Sequence, residues 1–355
     1  MPDALATTLR LVTAWAGCEV GHTVIKGGLS HHIARVDSAN GERWVLRVLN
    51  PRISAAGLGI PLEQEIANTK RAAEAGVGAR VLHELPGALL LEYIDGRTLD
   101  IDAVRDPELT PGIAAACRRL HRGPRFVNDF SIFRKLDELL GLCRRHGLPL
   151  PAGYEDCLPL VAEIEEALAR RPMPAVPCHN DLLAENFLLA DGRVRIVDYQ
   201  LSGNNDPAFE LGDIAAEADY DPDQVARLVR AYLDEASPDA GPAPIVAGID
   251  PGEFTARARL YLIMSNFTWT LWFAIHHGLV QRPSGEGGAT GEDGAAGEDG
   301  SAGEHADGRP YAGFDYQAEA ADKFRQAVRD LNDPDFGRLI DAVRAPYPPA
   351  TRKEA

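Results

Sequence analysis

Four residues in one short stretch have the types and spacing to do chemistry together. From Cys178 to Asp198 the chain reads C-H-N-D-L-L-A-E-N-F-L-L-A-D-G-R-V-R-I-V-D, which contains His179, Asp181, Asn186 and Asp198. The first three stand in the order H-x-D-x-x-x-x-N. Phe187 to Ala190 is apolar, Asp191-Gly192 is a hairpin-turn dipeptide, and Val194, Ile196 and Val197 are β-branched. The spacing therefore predicts a β-hairpin that returns Asp198 to the side of Asn186. A carboxamide and a carboxylate so placed offer oxygen ligands to a hard cation such as Mg²⁺. Asp181 is then left to accept a proton from an attacking hydroxyl, which is the division of labour in phosphoryl transfer. His179 is expected to brace the loop by hydrogen bonding and to transfer no proton. H-x-D alone is common by chance; the weight lies in the ordered set with its hairpin.

Size and charge narrow the partners. A chain of 355 residues exceeds one minimal domain and suits two lobes. A net charge of -17 argues against a nucleic-acid backbone as partner and fits a small cationic substrate, as it also fits many ordinary cytosolic proteins. Part of that charge is local, because residues 285–307 carry seven acidic side chains and no Lys or Arg. The five cysteines are widely spaced and form no C-x-x-C, so reduced thiols and a cytoplasmic location are expected. The opening M-P-D-A-L-A-T-T-L-R has no basic run followed by an apolar one, so no signal peptide is expected. Leu260 to Val280 lacks Asp, Glu, Lys and Arg, which is long enough for a membrane span. It also holds Ser265, Asn266, Thr268, Thr270, His276 and His277, so a buried helix is expected and stable membrane insertion is not.

The elements that must position these groups follow from periodicity. Residues 1–17 read as an amphipathic helix. Glu19–Lys26, His31–Ser38 and Arg43–Leu49 read as strands, with turns at Gly27-Gly28 and Asn40-Gly41. The G-G-L-S run (Gly27, Gly28, Leu29, Ser30) could cover a nucleotide's phosphates with backbone N–H groups, although Gly-Gly is more often only a turn. Arg47, mid-strand, is a candidate phosphate cation. The following helix, Pro61–Gly76, offers Glu63 and Glu65 as its partner; Glu65 is favoured because Ile66, Thr69 and Ala73 mark a buried face beside it. Two more strands, Val81–His83 and Ala88–Tyr93, complete a five-stranded lobe. Its end places Glu92, Tyr93 and Ile94 at a hinge whose backbone could bind adenine. Helices are then expected over 108–121, 131–146, 154–171, 207–219, 223–236, 253–280, 314–330 and 334–345. His121 and His146 fall near helix C-termini and are assigned no chemistry. Residues 281–310, with glycines recurring every six residues, are expected to be a disordered acidic insert.

This order resembles the aminoglycoside phosphotransferase and choline kinase superfamily over nearly the whole chain apart from 281–310. Arg in W-V-L-R-V-L, the G-G-L-S loop, E-I-A-N, and N-F-T-W-T-L-W-F followed later by F-D-Y-Q look like choline/ethanolamine kinases in particular. The implied fold is α+β, bilobal and protein-kinase-like. Residues 1–94 would form a nucleotide-binding lobe with a five-stranded antiparallel sheet. Residues 95–355 would form a mainly helical catalytic and substrate lobe. The implied cofactors are ATP and Mg²⁺, and the implied activity is phosphorylation of choline or a related amino alcohol. The resemblance makes Trp269, Trp272 and Tyr316 an aromatic cage, with Glu217 as countercharge. Rings whose faces attract cations suit a quaternary ammonium, which has no N–H to donate; an aromatic stripe on an apolar helix is otherwise core. The sequence departs from the family at His31, where Asn is common, and at Gln200, where relatives carry Glu. Alternatives are a kinase for ethanolamine, thiamine, an aminoglycoside or a biosynthetic intermediate, or an inactive kinase-like binding protein. The oligomeric state stays open, a dimer included.

Overall fold

The computed structural model describes residues 2–25, 31–50, 53, 55–234, 236, 245, 246, 248–281 and 314–345. The readings made for Gly27, Gly28, Leu29 and Ser30, and for the acidic segment beyond residue 281, lie outside them.

Helix α1 (Pro2–Ala16) is followed by strands β1 (Val20–Val24), β2 (His32–Ser38) and β3 (Arg43–Val48), helix α2 (Leu62–Glu74), and strands β4 (Val81–Leu85) and β5 (Ala88–Glu92). The strands form one antiparallel sheet in the order β1-β2-β3-β5-β4. Gly41 turns the β2–β3 hairpin at φ +85°, where a side chain would be strained. The apolar stripe of α1 has a reason to be helical: Leu5, Leu9 and Val12 pack with Val36, Trp44 and Leu46.

Tyr93 to Gly96 lead from the sheet to β6 (Arg97–Thr98), which pairs with the catalytic hairpin. Then come α3 (Ile101–Arg105), α4 (Thr110–His121), α5 (Ile132–His146), α6 (Leu158–Ala169) and β7 (Val176–Cys178). The hairpin strands β8 (Phe187–Ala190) and β9 (Arg193–Ile196) are followed by β10 (Gly203–Asn205), which returns to pair with β7. Helices α7 (Pro207–Glu217), α8 (Pro222–Leu233), α9 (Pro251–Ile275), α10 (Tyr316–Leu331) and α11 (Phe336–Arg344) complete the described chain. The fold is thus α+β.

Helix α9 is the axis of the helical part. It starts at Pro251 because Asp250 caps it, its Oδ1 accepting the Glu253 N–H at 3.0 Å. It is buried on nearly all sides and ends in a π-type turn, His276–Gln281, so the helix expected to reach Val280 changes pitch at Ile275. Gly212 lets α7 lie against it, since a Cβ there would come within 2.5 Å of the Ala258 carbonyl oxygen. Among the described residues no helix is long and apolar enough to cross a membrane.

Candidate active site

The hairpin forms at the place the sequence predicted. Phe187 pairs with Ile196 and Ala190 with Arg193, and the turn residues Asp191 and Gly192 both have positive φ. The Val197 N–H donates to the Asn186 carbonyl oxygen at 3.0 Å, which sets Asn186 and Asp198 alongside each other. The Asn186 amide Nδ2 donates to the Asp181 carbonyl oxygen at 2.8 Å. Its oxygen Oδ1 is therefore the acceptor Asn186 can offer a cation. Asp198 sits at φ +73° and Asn180 at φ +67°, conformations that most residues adopt only under strain.

Two acids that the sequence reading missed hold the loop. Glu210, fully buried on α7, accepts the His179 N–H at 2.8 Å and the Asn180 N–H at 2.9 Å. Burial would raise its pKa, but His121, His179 and these N–H groups outweigh burial and hold the carboxyl below its usual range. His121 lies 3.6 Å from Glu210 and 2.8 Å from the Tyr232 hydroxyl. Ligand atoms of His121, Cys178 and Glu210 lie within 4.8 Å of one another, which resembles a metal site. Both Glu210 carboxylate oxygens accept backbone N–H groups of the loop, so in this structure the cluster acts as a brace.

The second acid is Asp213. One of its oxygens accepts the Leu182 N–H at 2.6 Å; the other accepts the Ser265 hydroxyl at 2.8 Å and the Trp269 indole N–H at 3.3 Å. Burial first, then Glu217, pushes Asp213 up to about 7. His179 is fully buried and its Nε2 meets the Val197 carbonyl oxygen at 2.9 Å, a bracing contact. Asp181 is shifted well above the usual carboxylate range by burial and by Asp213 and Glu217.

On the sheet side, Arg47 is buried. Its guanidinium lies 3.1 Å from Glu65 and 2.5 Å from Asp198. Glu65, not Glu63, is thus the helix partner. Burial raises Asp198, but Arg47 outweighs it and holds that carboxyl low; in Glu65 burial prevails over Arg47 and the carboxyl is raised. His31 joins this group, with Nδ1 accepting the Asn50 N–H at 3.0 Å and Nε2 3.8 Å from Glu65. Asn68 of E-I-A-N ties α2 to the helical part, donating to Asn128 Oδ1 at 2.8 Å and Ser202 Oγ at 3.0 Å. At the hinge, Glu92 accepts from Arg80, and the Arg43 guanidinium lies over the Tyr93 ring at 4.7 Å. Ile94 follows in the connection to β6.

A cavity of about 530 Å³ unites the two halves of the prediction. Asp181, Asn186 and Asp198 line it together with Trp269, Trp272 and Phe314. Trp269 is anchored through Asp213, and the Trp272 indole N–H donates to the Leu58 carbonyl oxygen at 2.9 Å. Tyr316 is not among the described lining residues. It stacks on His276 with centroids 4.2 Å apart and meets Phe314 edge-on at 4.7 Å, one layer behind the wall. Phe314, missed in the sequence, takes the place expected of Tyr316. Glu217 lines the cavity but already holds a cation, the buried Lys323 ammonium at 2.8 Å. Attraction to Glu217 outweighs burial and keeps the Lys323 pKa raised.

An ion-paired sheet cation, an H-x-D loop clamped from α7, and a two-residue-turn hairpin define a kinase-type phosphotransferase. Residues 22–328 match the choline/ethanolamine kinase family, and the chain belongs to that family. Ethanolamine kinase 2 of Mus musculus is 24% identical over 297 residues, covering 78% of this chain and 75% of that one. The crystal structure of a choline/ethanolamine kinase family protein from Mesorhizobium loti superposes with a TM-score of 0.72 at 27% identity, covering 97% and 99% of the two chains. The choline kinase LicA from Streptococcus pneumoniae has a TM-score of 0.65 at 18% identity, covering 91% and 98%. The protein is accordingly an ATP-dependent phosphotransferase acting on an alcohol group.

Proposed function

We propose that the chain transfers the γ-phosphoryl group of ATP to the hydroxyl of choline or a closely related amino alcohol. The observation that carries this is the single cavity in which Asp181, Asn186 and Asp198 meet Trp269 and Trp272. Asp181 orients the substrate hydroxyl and accepts its proton as the oxygen attacks. Asn186 through Oδ1 and Asp198 through the carboxylate oxygen not held by Arg47 would hold Mg²⁺, a fit in ligand type for a hard cation. Bound there, Mg²⁺ supplies neutralisation of phosphate charge. Arg47, held by Glu65, is the protein's own cation toward the phosphates. The backbone of Glu92, Tyr93 and Ile94 receives adenine; Gly27, Gly28, Leu29 and Ser30, which lie outside the described residues, are the sequence's candidates for contacts to the phosphates. Trp269 and Trp272 face the substrate's cationic end, Tyr316 supports the ring layer behind them, and Glu217 sets the field through its pair with Lys323. His179 holds the loop.

The relative named ethanolamine kinase supports amino alcohols other than choline as a second reading. An ADP-release assay over choline, ethanolamine, thiamine and aminoglycosides tests both. Turnover with choline or ethanolamine is expected; turnover confined to thiamine or an aminoglycoside would overturn the reading.

A further inference from the structure

The carboxylates around the cavity can be sorted by what they already hold. Asp181 and Asp198 belong to the transfer chemistry. Glu217 is committed to Lys323 at 2.8 Å. Asp219 pairs with Arg329 at 3.0 Å, and Asp322 accepts from Gln326 at 2.9 Å as well as from Arg325. Glu185 is exposed. Glu319 remains. It lines the same cavity as Trp269, Trp272 and Phe314, is half-buried, and its carboxylate has no hydrogen bond or ion pair among the described residues. Glu319 and Lys323 are four apart on α10, so they share one helix face, and that face lines the cavity. Burial raises the Glu319 carboxyl, partly offset by Lys323. Partial desolvation of this kind is relieved when a cation arrives.

We propose that Glu319 selects among cationic alcohols: its carboxylate accepts an N–H from a primary or secondary ammonium lying against Trp269 and Trp272. The assignment rests on the amino-alcohol reading above and adds a preference within it. The indole faces attract any ammonium, whether or not it carries hydrogens. A charge-assisted N–H···O bond is open only to an amine with a hydrogen to donate. A quaternary ammonium meets Glu319 as a bare charge held off by its methyl groups. Substrates with N–H donors are therefore preferred, and the preference lies in KM rather than kcat because the contact is made to the ammonium and not to the reacting hydroxyl, so it is the same in the ground and transition states.

The test is steady-state kinetics of the full chain with MgATP saturating, using ethanolamine, N-methylethanolamine and choline, for wild type and Glu319→Gln. Glutamine keeps the size and removes the charge. The expected result is a lower wild-type KM for the N–H-bearing amines and a rise of about tenfold in those KM values in the variant, with a much smaller change for choline. Equal changes for all three alcohols, or none, would overturn the assignment while leaving the amino-alcohol reading standing. A wild-type enzyme that phosphorylates none of the three would overturn that reading and the assignment with it. Isothermal calorimetry of ethanolamine and choline binding to the two proteins separates lost affinity from a folding defect, because a misfolded variant loses both ligands.

Discussion

The two walls of the cavity are held in different ways. On the loop side, two buried acids of α7 take successive backbone N–H groups of the chain that carries Asp181: Glu210 those of His179 and Asn180, and Asp213 that of Leu182. Arg47 is likewise shared between two carboxylates. On the side built by α9, α10 and the end of α7 the wall is rings and charged side chains. Phe314 stands where Tyr316 was expected, Glu217 is paired with a lysine, and Glu319 has no partner among the described residues. The contrast teaches where this fold fixes geometry and where it leaves room. In-line attack needs groups held to fractions of an ångström, and buried hydrogen-bonded acids supply that. Recognition of an ammonium is non-directional when rings do it, so that wall tolerates change except where an indole is bonded into the other side, as Trp269 is to Asp213.

The sharpest way to break the comparison is at the loop. Asp181→Asn should lower kcat by about 10³-fold, in the range for loss of a general base, with nucleotide binding kept. Near-normal ADP release would remove Asp181 from the mechanism. Next in size is Glu210→Gln, which turns an amide NH₂ toward N–H groups that need acceptors. A loss of about 1–3 kcal/mol in unfolding free energy is expected, with kcat falling more than the amine KM rises. A variant as stable as wild type would mean the loop does not depend on this clamp. On the other wall, Trp269→Leu keeps an apolar filling and removes the ring. The KM for the amine should rise roughly 5–30-fold, the equivalent of about 1–2 kcal/mol of cation–π attraction, while the KM for ATP stays put. Parallel changes in both would make the indole a packing group.

The effect that is smallest at neutral pH concerns His31. Burial, then Arg47, lowers its pKa to about 3. The folded chain therefore binds fewer protons at this site than the unfolded one between pH 6.5 and about 3, and stability falls as pH drops through that window. His31→Asn should make the stability–pH curve shallower there, measured by urea unfolding. An unchanged slope would show that other groups set it.

Local chemistry made part of this legible from residues alone. Asp191-Gly192 specifies its hairpin because both turn positions have positive φ, and that alone brings Asn186 to Asp198. Glu65 could be preferred to Glu63 because the helix period marks which side is buried. What stayed hidden depends on packing between distant segments. F-E-L-G-D reads as ordinary helix, since nothing local tells that Glu210 and Asp213 point at the catalytic loop rather than at water. Lys323 is far in sequence from Glu217, so its neutralising role needed the packing of α10 on α7. Strands of two or three residues such as β6, β7 and β10 are too short to show a period. The ring layer was half visible: spacing gave the tryptophans a common face, but the order of Phe314 and Tyr316 in depth is set by how α10 enters.

One bond has a wider effect than its size. The Trp272 indole is fastened to the Leu58 carbonyl, and two residues on, the Ile60 N–H donates to the Gln200 carbonyl oxygen at 3.0 Å. This tethered stretch joins the strand of Arg47 to the helix of Glu65. An alcohol that displaced the indole on arrival would pull on the segment between Arg47 and Glu65, the two residues proposed to manage phosphate charge. Any coupling that this tether carries would be reciprocal, ATP altering amine affinity by the same factor that the amine alters ATP affinity.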